Sequence, residues 1–187
     1  TLQYVSLKSD GSEASRIRSD AFFEIDEDPV FDYAVPTASG WMFMSMDGQV
    51  FEAELDGDEI IVSEPWSILA GEEEGSEWRI GGRQPFAFNA EHNLLFTLMH
   101  EGGGQETFED PGTEIWAFST ETRNRGYRLA LPEEELGSGV QVTPDAKPIL
   151  IVAPDESNTL RIYDARTGHR LEEMADMGGG LIQTLEG

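Results

Sequence analysis

This chain of 187 residues contains no cysteine. That single absence removes disulfides, thiolate zinc sites and cysteine nucleophiles together. It leaves the compartment open, because a periplasmic protein need not carry a disulfide. Lysine is nearly missing too. Lys8 and Lys147 stand alone, and lysine plus arginine total 12 against 37 aspartates and glutamates. The formal charge of −25 repels nucleic acid and anionic membrane surfaces. Its plain reading is a solvated acidic surface that keeps the protein soluble, and a carboxylate-rich surface poor in lysine also fits a salty habitat. No apolar run approaches the ~18 residues that a membrane span needs. No signal peptide is visible, but the chain starts at Thr1 rather than Met, so secretion stays open.

Helical periodicity is also scarce. The apolar residues come in short β-branched and aromatic runs, punctuated by Gly, Asp, Asn and Pro. Trp41–Met46, Val50–Leu55, Leu94–Met99, Glu114–Phe118, Pro148–Ala153 and Thr159–Tyr163 are examples. Hydrophobic residues make up 39% of the chain and aromatics 10%, too much for a disordered polymer. Only Pro65–Ala70 and Pro132–Leu136 read as a helical turn or two.

The runs repeat. One unit reads Phe31–Pro36, Trp41–Met46, a tight turn at Asp47-Gly48, Val50–Leu55, a turn at Asp56-Gly57, then Glu59–Val62. The next reads Pro85–Asn89, Asn93–His100, a long loop, Glu114–Ser119, then Arg125–Leu131. The third reads Gly139–Thr143, Pro148–Pro154, a turn at Asp155–Asn158, Thr159–Tyr163, then His169–Met174. The period is roughly 50–55 residues with four strands in each unit, the signature of propeller blades rather than of a β-sandwich of unrelated hairpins. The expected fold is therefore an all-β partial propeller over residues 1–187, with blades at approximately 22–66, 84–131 and 138–175. Thr1–Leu7 and Gly180–Leu185 read as a stray strand at each end. Three blades cannot close a ring of the usual ~4–8 blades, so sheet edges and faces await further sequence or a partner.

Little chemistry stands out. A nucleophilic triad needs a positioned base. His92 and His169 fall in surface turns, and His100 ends a buried strand beside a Gly-rich loop, where a hydrogen-bonding role is expected. The runs Glu72–Glu74 and Glu133–Glu135 read as exposed loop charge. Asp26-Glu27-Asp28 lacks the alternation of a calcium loop, although Asp32 and Asp145, near first strands, keep a cation role open. Gly102-Gly103-Gly104 is no phosphate loop, because no Lys-Ser or Lys-Thr helix follows it.

Several segments resemble the heavy (large) subunits of methylamine and aromatic amine dehydrogenases. Trp78-Arg79-Ile80-Gly81-Gly82-Arg83-Gln84-Pro85-Phe86-Ala87 is similar to a W-R-P-G-G-x-Q-x-x-A stretch, with Ile80 departing from the usual Pro. Leu94–His100, then Asp110-Pro111-Gly112-Thr113-Glu114-Ile115-Trp116, resemble the strand and D-P-G-T-E-I-W run that follow. Gln141-Val142-Thr143-Pro144-Asp145 with Lys147-Pro148 is similar to a V-S-Q-D-x-x-P turn. Tyr163–Gly168 matches Y-D-A-x-T-G, and Gly48–Leu55 matches G-x-V-Y-x-x-D-L. The order is kept, but the matches cover only the C-terminal half of a seven-bladed subunit about twice as long.

The resemblance implies a periplasmic, non-catalytic scaffold in an oxidoreductase that converts primary amines to aldehyde and ammonia. The cofactor, tryptophan tryptophylquinone, would belong to a small, cysteine-rich light subunit in a heterotetramer, with a blue-copper (amicyanin- or azurin-like) electron acceptor. On this reading the chain carries no catalytic, cofactor or metal residue. Trp41, Trp66, Trp78 and Trp116 are packing residues, and the chain alone has no activity. Trp78, Arg79 and Gln84 are the candidate light-subunit interface, in a Gly-Gly loop that would lie on a propeller face. The alternatives are a propeller that only binds proteins, or a stand-alone metal-dependent propeller hydrolase needing axial carboxylates or histidines.

Overall fold

Among the described residues of the computed structural model, sixteen strands follow one another and there is no α-helix. Those residues are 3–7, 13–18, 32–37, 39–56, 59–71, 76–102, 110–132 and 136–177. The chain divides into two compact units, Thr1–Ser67 and Ile68–Gly187.

In the first unit, β1 (Gln3–Leu7) and β2 (Glu13–Arg18) form a two-stranded antiparallel hairpin. The expected lone first strand therefore has a partner. Its mate, Glu-Ala-Ser-Arg-Ile-Arg, carries too few apolar residues to show as a strand by alternation alone.

The second sheet runs β3 (Tyr33–Pro36), β4 (Gly40–Met44), β5 (Gln49–Asp56) and β6 (Glu59–Val62), all antiparallel neighbours. The β4–β5 hairpin closes at Asp47-Gly48 as expected. Gly48 takes φ 84°, which costs a glycine nothing. The Ser45 hydroxyl donates to the Asp47 carboxylate, and the Ser45 N–H donates to the Gln49 carbonyl at 3.0 Å. Phe43 and Phe51 then fall directly opposite each other. Their rings stack with centroids 5.0 Å apart, among the buried Met42, Met44 and Val50.

Pro65–Ala70 does not make a helical turn. Trp66–Ser67 forms β7, which pairs with Gln49–Val50 of β5. β6 covers only Ala53–Asp56 of that strand, so β7 takes up the ladder groups left beside Gln49. A six-residue segment gains too few intrahelical bonds to offset nucleation. The other segment expected to turn, Pro132–Leu136, and the turn at Asp56-Gly57 lie partly outside the described residues, and Gly180–Leu185 wholly so.

The second unit holds two sheets. One has the order β12 (Asn124–Ala130), β11 (Glu114–Ser119), β10 (Leu94–Glu101), β8 (Trp78–Ile80), with β9 (Phe86–Asn89) also on β10. β8 and β9 are two halves of one inner strand. β8 pairs with Met99–Glu101 and β9 with Leu94–Thr97. Between them the Gly81 N–H donates to the Leu98 carbonyl at 3.1 Å, and Leu98 N–H to the Pro85 carbonyl at 2.8 Å. The other sheet is β13 (Gly137–Val142), β14 (Ile149–Pro154), β15 (Leu160–Asp164) and β16 (Arg170–Met174).

Alternation along the strands puts Phe96, Leu98, Ile115 and Ala117 on one face of the first sheet, against Val140, Val142, Leu150, Val152 and Tyr163 of the second. These side chains form one buried cluster. Fully burying each large apolar side chain contributes about 1.5–3 kcal/mol, so this seam dominates the unit.

Candidate functional site

The bulge at Gly81–Gln84 leaves its own sheet and bonds to the next. Arg83 and Gln84 N–H groups both donate to the Ser138 carbonyl, at 2.7 and 3.1 Å. The Val140 N–H returns the bond to the Gln84 carbonyl at 2.9 Å. Gly82 N–H donates to the Asp110 carbonyl at 2.6 Å. Nearby, Gly112 and Gly137 exchange both backbone bonds, at 2.7 and 2.9 Å. A Cβ on either would lie within 2.9 Å of the Leu98 side chain, so only glycine lets the two backbones approach over Leu98. The Gly-Gly-Arg-Gln, Asp-Pro-Gly-Thr and Gly-Ser-Gly segments are thus parts of one seam.

Further along, the same two sheets are clasped by side chains. The Asn89 amide donates to the Thr143 carbonyl at 2.7 Å, and the Tyr127 hydroxyl donates to the Ala165 carbonyl at 2.9 Å. Burial first, and the Asp164 charge second, push the Tyr127 phenol far above its ordinary range. Arg166 and His92 both reach the Ala146 carbonyl, at 3.0 and 3.1 Å. In the β15–β16 turn the Asp164 carboxyl is held below its usual range, chiefly by the Thr167 hydroxyl and then by backbone N–H groups.

The face of β8, β11 and β12 opposite that seam carries the densest chemistry. Trp78 and Trp116 meet with ring centroids 5.1 Å apart and planes tilted by 52°. The Arg128 guanidinium lies 4.7 Å from the Trp78 ring centre and 4.8 Å from that of Trp116. Arg125 stands over Trp116 as well, at 4.8 Å. Glu114 fixes the group: its Oε2 accepts from Trp116 Nε1 and from Arg128 Nε, both at 2.7 Å. Burial works to raise the Glu114 carboxyl, but the bonds from Arg128 and Trp116 outweigh it and hold the group below its usual range. Chemically this is a satisfied cation–π cluster.

The predicted interface residues do not share one surface. Trp78 is 8% exposed and belongs to that cluster. Arg79, its neighbour on β8, points to the opposite side of the sheet. It donates to the carbonyls of Trp78 and Ser76 at 2.9 and 3.4 Å. Gln84 sits on the seam beside Gly139. Trp78 and Arg79 lie on a strand rather than in the expected loop, because Trp-Arg-Ile completes the ladder that β10 offers beyond β9.

His100 is buried across from Arg79, and its Nε2 has no hydrogen-bond partner among the described residues. Asp32 accepts the Met46 N–H at 2.7 Å, which explains it as a turn residue. Asp145 and His169 are exposed. Among the described residues no three His, Cys, Asp or Glu side chains gather into a metal-binding group. Glu72–Glu74, Glu133–Glu135 and Asp26–Asp28 lie outside the described residues.

Sequence reasoning missed Arg161, buried to 2% exposure on β15. It reaches the Glu173 carboxylate at 3.5 Å, which Arg170 also binds. It missed the arginine half of the tryptophan cluster too. The available signal was the Trp116–Arg128 spacing on two strands predicted to be adjacent.

The family model for the methylamine dehydrogenase heavy chain (MADH) matches residues 1–185. The methylamine dehydrogenase heavy chain of Paracoccus versutus is 26% identical over 133 residues, covering 71% of this chain and 30% of that protein. The one from Methylorubrum extorquens is 23% identical over 181 residues, covering 96% of this chain and 43% of that protein. The chain thus spans less than half the length of these relatives. Among solved structures, the RRP9 WD40 repeats align with TM-score 0.51 at 10% identity, covering 76% of this chain and 37% of that one. Saccharomyces cerevisiae Sqt1 aligns with TM-score 0.51 at 11% identity, covering 88% and 39%. With WD40 repeats being propellers, the antiparallel four-stranded sheets are blades of a β-propeller.

Proposed function

Because the chain belongs to the methylamine dehydrogenase heavy chain family, we propose that it is part of the non-catalytic scaffold of a quinone-dependent amine dehydrogenase. The complex oxidises primary amines to aldehyde and ammonia and passes electrons to a blue-copper protein. Tryptophan tryptophylquinone is carried by a cysteine-rich light subunit that docks on this scaffold, in a periplasmic heterotetramer. The observation that carries the reading is the family match along residues 1–185.

Trp78 and Trp116 fit a packing role better than a cofactor role, whereas Trp41, expected to pack, is 39% exposed. Trp116 has no exposed surface, its indole N–H is committed to Glu114, and two guanidiniums lie over its ring. An amine substrate needs an accessible electrophile, which this ring does not offer. No step of the chemistry is therefore assigned to this chain.

Of the three interface candidates, Arg79 is the one whose replacement tests docking cleanly, because Trp78 and Gln84 also hold the fold. The test is Arg79→Glu in the full-length protein, with co-purification of a small subunit as the readout. We expect co-purification to fall at least tenfold while the thermal midpoint stays within a few degrees. Unchanged co-purification would remove Arg79 from the interface. Absence of any small partner from the unmodified protein would remove the scaffold reading itself.

A further inference from the structure

The two ends of the second unit differ in charge. At one end the strands are joined by residues 102–113, 131–136 and 155–159, which in sequence hold eight acids and no lysine or arginine. At the other end the strands are joined by 90–93, 120–123, 143–148 and 165–169. These turns carry three acids, Glu91, Glu121 and Asp145, against three cations, Arg123, Lys147 and Arg166. That balance departs from a chain with 37 acids and 12 cations. At physiological salt, exposed charges more than about 8 Å apart are largely screened, so the local balance governs what binds there.

Three of these turns converge on Arg166. Its Nη2 donates to the Ala146 carbonyl at 3.0 Å and lies 3.2 and 3.0 Å from Nδ1 and Nε2 of His92. His92 Nε2 is itself 3.1 Å from the Ala146 carbonyl. The Lys147 backbone lies between two such ties: the carbonyl before it takes Arg166, and the Pro148 carbonyl after it takes the Ala165 N–H at 3.0 Å. Asp164, the acid nearest Arg166 in sequence, spends its Oδ1 on the N–H groups of Arg166 and Thr167 and on the Thr167 hydroxyl. Arg166 and Lys147 are both exposed. The side-chain bonds of Arg166 run through Nη2, so the other guanidinium donors stay available. The guanidinium is held before any ligand arrives, which removes part of the ordering cost of binding.

We propose that Arg166 and Lys147 form an oxyanion-binding site at this end, taking a phosphate or a carboxylate group. A fixed arginine fork with a lysine beside it is the donor set that such groups bind. The exposed Asp145 carboxylate, two residues before Lys147, opposes the ligand and limits the affinity. The inference rests on the geometry of this chain and does not require the scaffold reading.

The test titrates the full-length protein with two probes, inorganic phosphate and a hexaglutamate peptide. Sodium chloride holds the ionic strength constant, so general screening does not register. The His92 ring resonances, assigned by their loss in His92→Gln, report binding beside Arg166. The expected result is a saturable shift with at least one probe, and the tighter probe names the source, free anion or acidic chain. Arg166→Gln should weaken binding about tenfold. Lys147→Gln should weaken it about threefold, and Asp145→Asn should tighten it about threefold. Lys147 and Asp145 are exposed turn residues, so these two variants keep the test open even if Arg166→Gln disturbs the turn. No saturable shift with either probe, or affinities unmoved by Arg166→Gln and Lys147→Gln, would overturn the proposal.

Discussion

Gly137→Ala isolates the packing of the seam. The added Cβ would stand 2.8 Å from Leu98 Cδ2, 3.1 Å from Leu131 Cδ1 and 3.4 Å from Val152 Cγ1. Carbon atoms prefer about 3.5–4.0 Å, so Leu98 must retreat by ~1 Å. Leu98 has no exposed surface, so its retreat must displace buried neighbours. Overpacking of this kind costs about 1–3 kcal/mol. The loss of glycine's freedom in the unfolded chain returns about 0.4–1 kcal/mol, leaving a net destabilisation of about 1–2 kcal/mol. Gly126→Ala is the control, because its nearest contact is an ordinary 3.7 Å. It should be neutral or stabilise by up to about 1 kcal/mol. The decisive step adds Leu98→Ala. Alone it should cost about 2–5 kcal/mol. Combined with Gly137→Ala, the cost should be at least ~1 kcal/mol below the sum, because the alanine methyl fills part of the cavity. Urea unfolding with unchanged slope measures each value. Additive costs, or a harmless Gly137→Ala, would refute the reasoning.

Glu114→Gln should cost about 1–2 kcal/mol after allowance for solvent screening, and Trp116 fluorescence should report the change. Because the Glu114 carboxyl is lowered in the fold, its contribution is present above the ordinary 4.5 and lost as pH falls through the folded value; a melting midpoint that falls equally with acid in wild type and Glu114→Gln would contradict this. Tyr127→Phe should cost about 0.5–1.5 kcal/mol through the lost bond to Ala165. The raised Tyr127 phenol gives stability that is full below pH 10.0 and fades as pH climbs toward the folded value. Ultraviolet titration should show a late-ionising tyrosine that disappears in Tyr127→Phe, and identical titrations of wild type and variant apart from the loss of one ordinary phenol would count against the clasp. With a formal charge of −25, the melting midpoint should rise with salt as repulsion is screened, and a midpoint unmoved between low and molar salt would remove that claim.

Much of the fold was legible because strands with one face inward alternate. Val50–Leu55 shows that period in part, while Leu94–His100 and Glu114–Ser119 were legible as short apolar runs between turn residues, buried on both faces, and their order in repeated groups shows the blades. Tight turns were legible where Asp-Gly requires positive φ, as at Gly48. What stayed hidden depends on distant partners. Trp78–Ile80 is three residues long beside two glycines, and it becomes a strand only because β10 extends to Glu101. Glu13–Arg18 is too polar to read as a strand until Gln3–Leu7 is seen beside it. Arg161 carries no signal of its own in the sequence, and its burial follows from its place opposite Val152 on the seam face. The tryptophan cluster joins residues from three strands, so single-strand patterns show tryptophans but not the guanidiniums that cover them. The resemblance supplied a complex, whereas Trp78, Arg79 and Gln84 proved to point in different directions.

The most direct test of the account is to purify the full-length protein with its partners under native conditions, separate the chains, and stain each for quinone. The account predicts a quinone-positive small chain and a quinone-negative band containing this sequence, with amine-dependent bleaching of the intact complex. A quinone on this chain, or amine dehydrogenase activity from it alone, would contradict the account.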